Sequence, residues 1–265
     1  MVEVVYTKAD GVATVRLNRP EAGNALSRRM RPLFIDIWAD IREDADVRAV
    51  VITGTGDRHF CTGADVKEVA ESGTTTSTSE RVAEAVVWSP MQNGIWKPVI
   101  CAVNGLVAGG GLHFVADADI VLAAESAAFM DSHVSVGQVG AIENIGLAHR
   151  MPLGSALRMT LMGRSYRMPA ARAYQLGLVD EVVALDDLSD TATAMALAIA
   201  ANSPAAVMRS KQAIWDSIGV PRQDALEHGW ALAREHWNHP DFLEGARAFA
   251  EKRPPRWTTA PQDPK

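Results

Sequence analysis

The residues best suited to chemistry lie in two glycine-bearing loops. FCTGAD (60–65) follows a β-branched run and a glycine turn, and precedes a short helical stretch at 66–70. NGLVAGGG (104–111) joins the apolar run PVICAV (98–103) to a second helical stretch at 112–116. The first backbone N–H groups of a helix point outward without partners, and consecutive glycines let a ligand approach them with no Cβ in the way. One N–H from each loop, aimed at a single carbonyl oxygen, would form an oxyanion hole for a thioester turning into an enolate or a tetrahedral intermediate. Taken alone, either glycine cluster also reads as a tight strand-to-helix turn.

Competing chemistries lack their motifs. Counting on from Gly54 and from Gly109, the third glycine of a dinucleotide-binding G-x-G-x-x-G falls on His59 and on Phe114. No GK[ST] phosphate loop and no HExxH zinc helix occurs, and the segment from Gly163 to Arg167 lacks the second glycine of a serine-hydrolase elbow. His228, His236 and His239 gather near the C-terminus without Cys, Asp or Glu at metal-ligand spacing, so no metal is expected there.

The elements that must position these loops alternate. Residues 2–6 and 12–17 flank the turn dipeptide Asp10-Gly11 and predict a β-hairpin. Leu26, Met30, Leu33, Ile37 and Ile41 recur at three- and four-residue steps and predict a helix over 24–41. VRAVVIT (47–53), PVICAV and ADIVLA (118–123) are continuous apolar runs of the kind buried on both faces of a parallel sheet. Helical stretches between them predict an α/β fold with right-handed crossovers. Residues 71–80 are rich in Ser and Thr and lack apolar periodicity, which predicts a mobile loop and a candidate lid beside the first glycine loop. Further helices are expected over 154–180 and 187–250.

Composition sets the outer limits. A chain of 265 residues with 48% hydrophobic and 22% charged residues has the balance of a folded globular protein. A net charge of -6 disfavours nucleic acid and anionic membrane as partners. Cys61 and Cys101 sit in apolar company and read as buried thiols of a reducing compartment. The first residues lack the basic and apolar regions of a signal peptide, and no apolar run reaches the length of a membrane span, so a cytoplasmic location is expected.

LNRPEAGNAL (17–26), HFCTGADVKEV (59–69), KPVICAVNGLVAGGGL (97–112), DADIVLAAESAAF (117–129), GRSYRMPAARAYQLGLVDEVV (163–183) and FAEKRPP (249–255) resemble, in order, segments of the crotonase (enoyl-CoA hydratase/isomerase) superfamily. The resemblance covers nearly the whole chain. It implies a crotonase-like ββα spiral core over residues 1–195 and a C-terminal helical region over 196–265 that trimerises and covers the active site. It also implies an acyl-CoA thioester substrate, with CoA arriving as part of the substrate and no tightly bound cofactor, and a homo-oligomer that is a trimer or a dimer of trimers. The Trp-rich stretch 215–257 is the candidate interface. On matching positions, Ala64 and Gly110 would supply the oxyanion-hole amides. Arg19, Ala22, Ala25 and Leu26 would lie along the CoA moiety, and Lys252 would sit near its phosphates.

The chain departs from this pattern where it matters most. The two positions that carry glutamates in the hydratases hold His113 and His133. A histidine pair can run acid-base chemistry near neutral pH, and repulsion would keep two close rings from both being charged. His113 also reads as a core histidine of an apolar helix. Superfamily members that hydrolyse carbon-carbon bonds of β-diketones pair a histidine with an acid about ten residues on; here Ile142 holds that place and Glu143 follows it. Asp131 would either orient an imidazole or cap the turn before His133. Three readings stay open: a lyase or isomerase of an acyl-CoA thioester, a hydrolase of a β-dicarbonyl substrate, and an acyl-CoA-binding protein without turnover. Trp88, Met91, Trp96, Met130 and Met162 are the candidates for acyl specificity.

Overall fold

A computed structural model of the chain describes residues 2–73 and 79–258. Half of the predicted lid, residues 74–78, lies outside the described residues, and the helix from 66 extends to Ser72, into its first positions.

The chain opens on the predicted hairpin. β1 (Val4–Ala9) and β2 (Val12–Leu17) pair antiparallel with Ala9 opposite Val12. The two linking residues, Asp10 and Gly11, have φ of 51° and 79°, the left-handed pair that a two-residue hairpin turn demands. The predicted buried runs become β3 (Ala49–Gly54), β5 (Val99–Val103) and β7 (Ile120–Ala124). With β10 (Glu181–Val183) they complete a six-stranded sheet in the order β1-β2-β3-β5-β7-β10, parallel from β2 onward.

Each of β3, β5 and β7 is followed by a short strand in a second sheet and then by a helix. β4 (His59–Cys61) leads to α2 (Val66–Ser72), and β6 (Leu106–Ala108) to α4 (Leu112–Ala116). β8 (Ala128–Met130) leads, after a loop, to α5 (Ile142–Arg150). Three such turns of a ββα spiral lay β4, β6 and β8 side by side in parallel, with β9 (Met168–Pro169) antiparallel at the edge. Their carboxyl ends therefore open on the same side.

Two buried asparagines fix the corners between the sheets. Asn104 accepts from Gly54 N at 3.0 Å and donates to Gly56 O and His59 O. Asn24, with φ 53°, donates to Thr55 O and His59 O and accepts from Arg19 N at 2.9 Å. This is why the helix predicted from 24 starts later, as α1 (Met30–Glu43). The left-handed Asn24 turns the chain so that Leu26 pairs with Ala64 in a parallel bridge instead of entering a helix. The buried face of α1 is accordingly Met30, Phe34, Ile37, Trp38 and Ile41, and Leu33 lies outside it. Phe34 packs against Phe114 of α4 with its ring tilted by 39° at 5.4 Å, and Phe60 of β4 meets Phe114 edge-on at 6.0 Å, so an aromatic cluster seats the short helix α4.

After α3 (Val82–Ala85), α6 (Leu153–Met162) and α7 (Ala170–Gln175), the helix α8 (Leu188–Ala200) crosses the large sheet. Its Leu188, Ala192, Ala196 and Ala200 are buried at four-residue steps. The boundary expected between 195 and 196 falls inside this packed helix. α9 (Pro204–Trp215) is tied to the core by Lys211, whose ammonium lies 2.8 Å from Asp119 and donates to Ile95 O and Lys97 O at 3.0 Å. Trp215 donates to Asp119 as well, and Trp257 to Ala201 O. Trp230 of α10 (Arg222–His236) is 54% exposed and meets the exposed Trp237 edge-on, ahead of α11 (Asp241–Ala250).

Replacing Asn24 tests the corner. Asn24→Ala leaves the Thr55 carbonyl and the Arg19 amide without their partners and the His59 carbonyl with Asn104 alone, and should lower stability by about 3 kcal/mol, read as a shifted urea midpoint at unchanged slope.

Candidate active site

The site forms where β4, β6 and β8 end. Leu26 N donates to Gly63 O at 2.8 Å and Asp65 N to Leu26 O at 3.1 Å. In a parallel bridge these bonds straddle Ala64, whose own N–H faces away from Leu26. Gly63 makes the turn with φ +86°, and a Cβ on it would sit 2.9 Å from Ala108 O and 3.0 Å from Gly110 N. A Cβ on Gly110 would stand 3.8 Å from Ala64 N. Glycine at both positions thus brings the Ala64 and Gly110 amides side by side, from the ends of β4 and β6.

The third strand end brings the ionisable groups. Asp131 follows β8 directly and is fully buried. Its Oδ1 accepts from His133 N at 3.0 Å and contacts His133 Nδ1 at 2.7 Å; its Oδ2 accepts from Asn144 at 2.7 Å. The other ring nitrogen of His133, Nε2, lies 3.2 Å from Glu143 Oε1. Glu143 Oε2 in turn lies 3.6 Å from His113 Nε2. His113, Glu143 and Asp131 are each less than a tenth exposed. The order across the site is His113, Glu143, His133, Asp131, drawn from α4, α5 and the loop after β8. A Cβ on Gly109 would come within 3.8 Å of His133 Cε1, so the imidazole borders the residue next to Gly110.

The two histidines are pushed in opposite directions. Burial, with the charge of His133 adding to it, brings His113 down to about 4, so its ring is neutral at physiological pH. His133 is raised, first by its hydrogen bond to Asp131 and then by the Glu143 charge, against desolvation. Burial raises Glu143, with the His133 charge opposing. Burial would raise Asp131 too, but the hydrogen bonds from the His133 ring and backbone and from Asn144 outweigh it and hold the carboxyl below its usual range.

The segment expected along CoA is built differently from its simplest reading. The Arg19 guanidinium donates to Ala25 O at 2.8 Å and pairs with Asp65 at 2.9 Å, so it braces the loop that carries Ala64. Ala25 and Leu26 are buried and Ala22 is half-buried. Lys252 is exposed, with φ 53°, just past α11. Among the residues weighed for acyl specificity, Trp88 lines a cleft with Leu26, Arg28, Ala64 and Val69. Met130 ends β8, and Met162 is exposed at the end of α6.

Asn144 and Gly140 were not singled out by the sequence. Asn144 lies 13 positions from Asp131, and only the docking of α5 brings them together. A Cβ on Gly140 would fall 2.5 Å from Asn144 Nδ2, 2.7 Å from Asp131 Oδ2 and 3.1 Å from His133 Nδ1. Ile142, at the spacing of the hydrolase acid, is 40% exposed, while Glu143 turns inward.

With this geometry in hand, the chain's relatives agree with its architecture. Residues 7–260 match the family described as enoyl-CoA hydratase/isomerase. The (E)-benzylidenesuccinyl-CoA hydratase of Thauera aromatica is 34% identical over 97% of this chain and 99% of that relative. The short-chain-enoyl-CoA hydratase of Clostridium acetobutylicum is 32% identical over 94% of this chain and 95% of its own. An enoyl-CoA hydratase/isomerase structure from Mycobacterium paratuberculosis superposes with a TM-score of 0.88 at 37% identity, covering 98% of this chain and 99% of that one. The chain belongs to the enoyl-CoA hydratase/isomerase family, within the crotonase superfamily, and is an enzyme of that kind acting on acyl-CoA.

The depressed His113 has a measurable consequence. The unfolded chain protonates this histidine near 6.5 and the native one near 4, so native stability falls as pH drops between those values and levels off below. The penalty reaches about 3 kcal/mol at the acid end. Denaturant midpoints from pH 7.5 to pH 4 should fall more steeply for wild type than for His113→Gln; parallel curves would contradict a buried neutral ring.

Proposed function

We propose that this chain adds water across the double bond of an enoyl-CoA thioester, using His113 and His133 where the hydratases use glutamates. The observation that carries this reading is the contact of both histidines with one buried carboxylate, Glu143, beside the paired amides of Ala64 and Gly110. The amides would hold the thioester oxygen as negative charge grows on it in the enolate. Neutral His113 would accept a proton from water as its oxygen bonds to the β-carbon. Imidazolium His133 would give its Nε2 proton to the α-carbon. Glu143, 3.2 Å from the His133 ring and 3.6 Å from the His113 ring and already raised by burial, would close to hydrogen-bond range as His113 becomes charged, return that proton to His133 and reset the site. The backbone from Ala22 to Leu26, with Lys252, remains the proposed contact for CoA; the bracing of Arg19 makes its role there indirect.

One observation favours a second reading. Glu143 touches His133 although it stands one position beyond the spacing of the β-diketone hydrolases, so a His133–Glu143 couple activating water for attack on a carbonyl has its geometry too. The exposed Trp230, Trp237 and Phe242 on the C-terminal helices support the proposal that this face is where copies of the chain meet in a trimer or a dimer of trimers.

Turnover in heavy-oxygen water separates the readings. Label in a hydroxyacyl-CoA product, reduced about 10²- to 10⁴-fold in both His113→Ala and His133→Ala, would support hydration. A labelled carboxylate from a cleaved β-dicarbonyl would support the hydrolase, and thioester binding without turnover would defeat both. Gly110→Ala offers an independent check. The new methyl contacts Leu26 at 3.5 Å without a clash but stands before the Ala64 amide. It should keep the wild-type melting temperature while lowering kcat/KM by about 10²-fold.

A further inference from the structure

We propose that Asp131, braced by Asn144, is a positioning residue that fixes the ring orientation, the tautomer and the charge of His133. This rests on the assignment of proton transfer to His133. A turn-capping carboxylate would need only the bond from His133 N, and Asp131 makes two more. Oδ1 also meets the imidazole Nδ1 at 2.7 Å, and Oδ2 accepts from Asn144 at 2.7 Å. The brace comes from α5, a different element from the loop it holds.

The arrangement leaves little freedom. With Asp131 ionised, every group facing it must donate, so His133 carries hydrogen on Nδ1 and Asn144 presents its amide nitrogen. Rotating the ring by half a turn would put a carbon against the carboxylate and lose the bond. Nε2 is thereby committed to the reactive side, facing Glu143. Asn144 immediately follows Glu143, so one helical turn both secures Asp131 behind the ring and supplies the carboxylate in front of it. Gly140 completes the clamp by what it lacks, since a Cβ there would press on Asn144, Asp131 and His133 together.

The charges facing His133 are Asp131 from its own loop, Glu143 from α5 and His113 from α4. His113 is neutral at the working pH, and Glu143 lies at a longer distance than Asp131. Asp131 is therefore the main support of the imidazolium, and without it burial acts on the ring with less opposition.

The test is a histidine titration of the full-length protein by nitrogen-15 NMR, with the His133 signal assigned through His133→Gln. In wild type His133 should titrate above the free-imidazole value and carry its neutral-form proton on Nδ1. Asp131→Asn should lower that midpoint by about one unit or more and shift the tautomer toward Nε2–H. The basic limb of the kcat/KM profile should move to lower pH by the same amount. Gly140→Ala keeps every functional group but wedges the clamp apart, so it should shift the midpoint in the same direction; it decides the matter if Asp131→Asn does not fold. A midpoint and tautomer unchanged in these variants would overturn the proposal, leaving Asp131 a turn cap. Shifts in both with an unmoved pH-rate profile would uphold the clamp and instead overturn the role of His133 in proton transfer.

Discussion

Parallel pairing of three very short strands is the constraint on which the site depends. Parallel neighbours cannot be joined by a hairpin, so each passage from β4 to β6 to β8 must travel out through the large sheet and back. Neighbouring strands at about 4.8 Å spacing then deliver their carboxyl ends as adjacent points, with a register shift between His59 and Cys61 where β4 meets β6. The residues that follow are Ala64, Gly110 and the segment from Asp131 to His133. The helices after them face the same space, which is how His113 on α4 and Glu143 on α5 come into contact. Precision of this kind needs rigid corners, and Asn24 and Asn104 supply them by satisfying backbone groups that leave one sheet before entering the other.

Within that frame, two copies of one side-chain type acquire different characters from position alone. His113 sits on a helix whose residues are all buried, with a carboxylate too distant for a hydrogen bond. His133 lies against an ionised partner at 2.7 Å. Charge along the row alternates in sign from Asp131 to His133 to Glu143, so each buried ion is offset by its neighbour. Two groups whose surroundings drive their proton affinities apart are how a fold provides an acid and a base together.

Much of this was legible in the sequence, and the remainder was not for identifiable reasons. The hairpin, the buried parallel strands and the two glycine loops follow from local pattern, because strand burial and turn chemistry are written in adjacent residues. The start of α1 is hidden from local pattern because the apolar period from Leu26 continues smoothly into the helix, whereas a left-handed Asn24 and a bridge to Ala64 decide its fate. The candidate site residues divide similarly. His113 and His133 stand out by position in a motif. The commitment of Arg19 to Asp65, 46 positions away, and of Asn144 to Asp131 are products of tertiary docking that no local signal carries.

The corner at Asn104 has a consequence for the ageing of the molecule. Asn104 is followed by Gly105, a pairing prone to self-cyclisation in flexible chains, where the glycine nitrogen attacks the amide carbon and ammonia leaves. Here the Asn104 side chain is held by three hydrogen bonds, and the Gly105 α-carbon packs so tightly that a Cβ would lie 2.5 Å from the Arg58 carbonyl. Turning the Asn104 side chain toward the Gly105 nitrogen would cost these three hydrogen bonds while the corner stands, and costs none of them once it opens. Each excursion from the native state thus exposes Asn104 to conversion into an aspartate or isoaspartate that cannot donate to Gly56 and His59. Reversible unfolding would become permanent damage at that residue, and the fraction converted would serve as a clock for how often the corner has come apart.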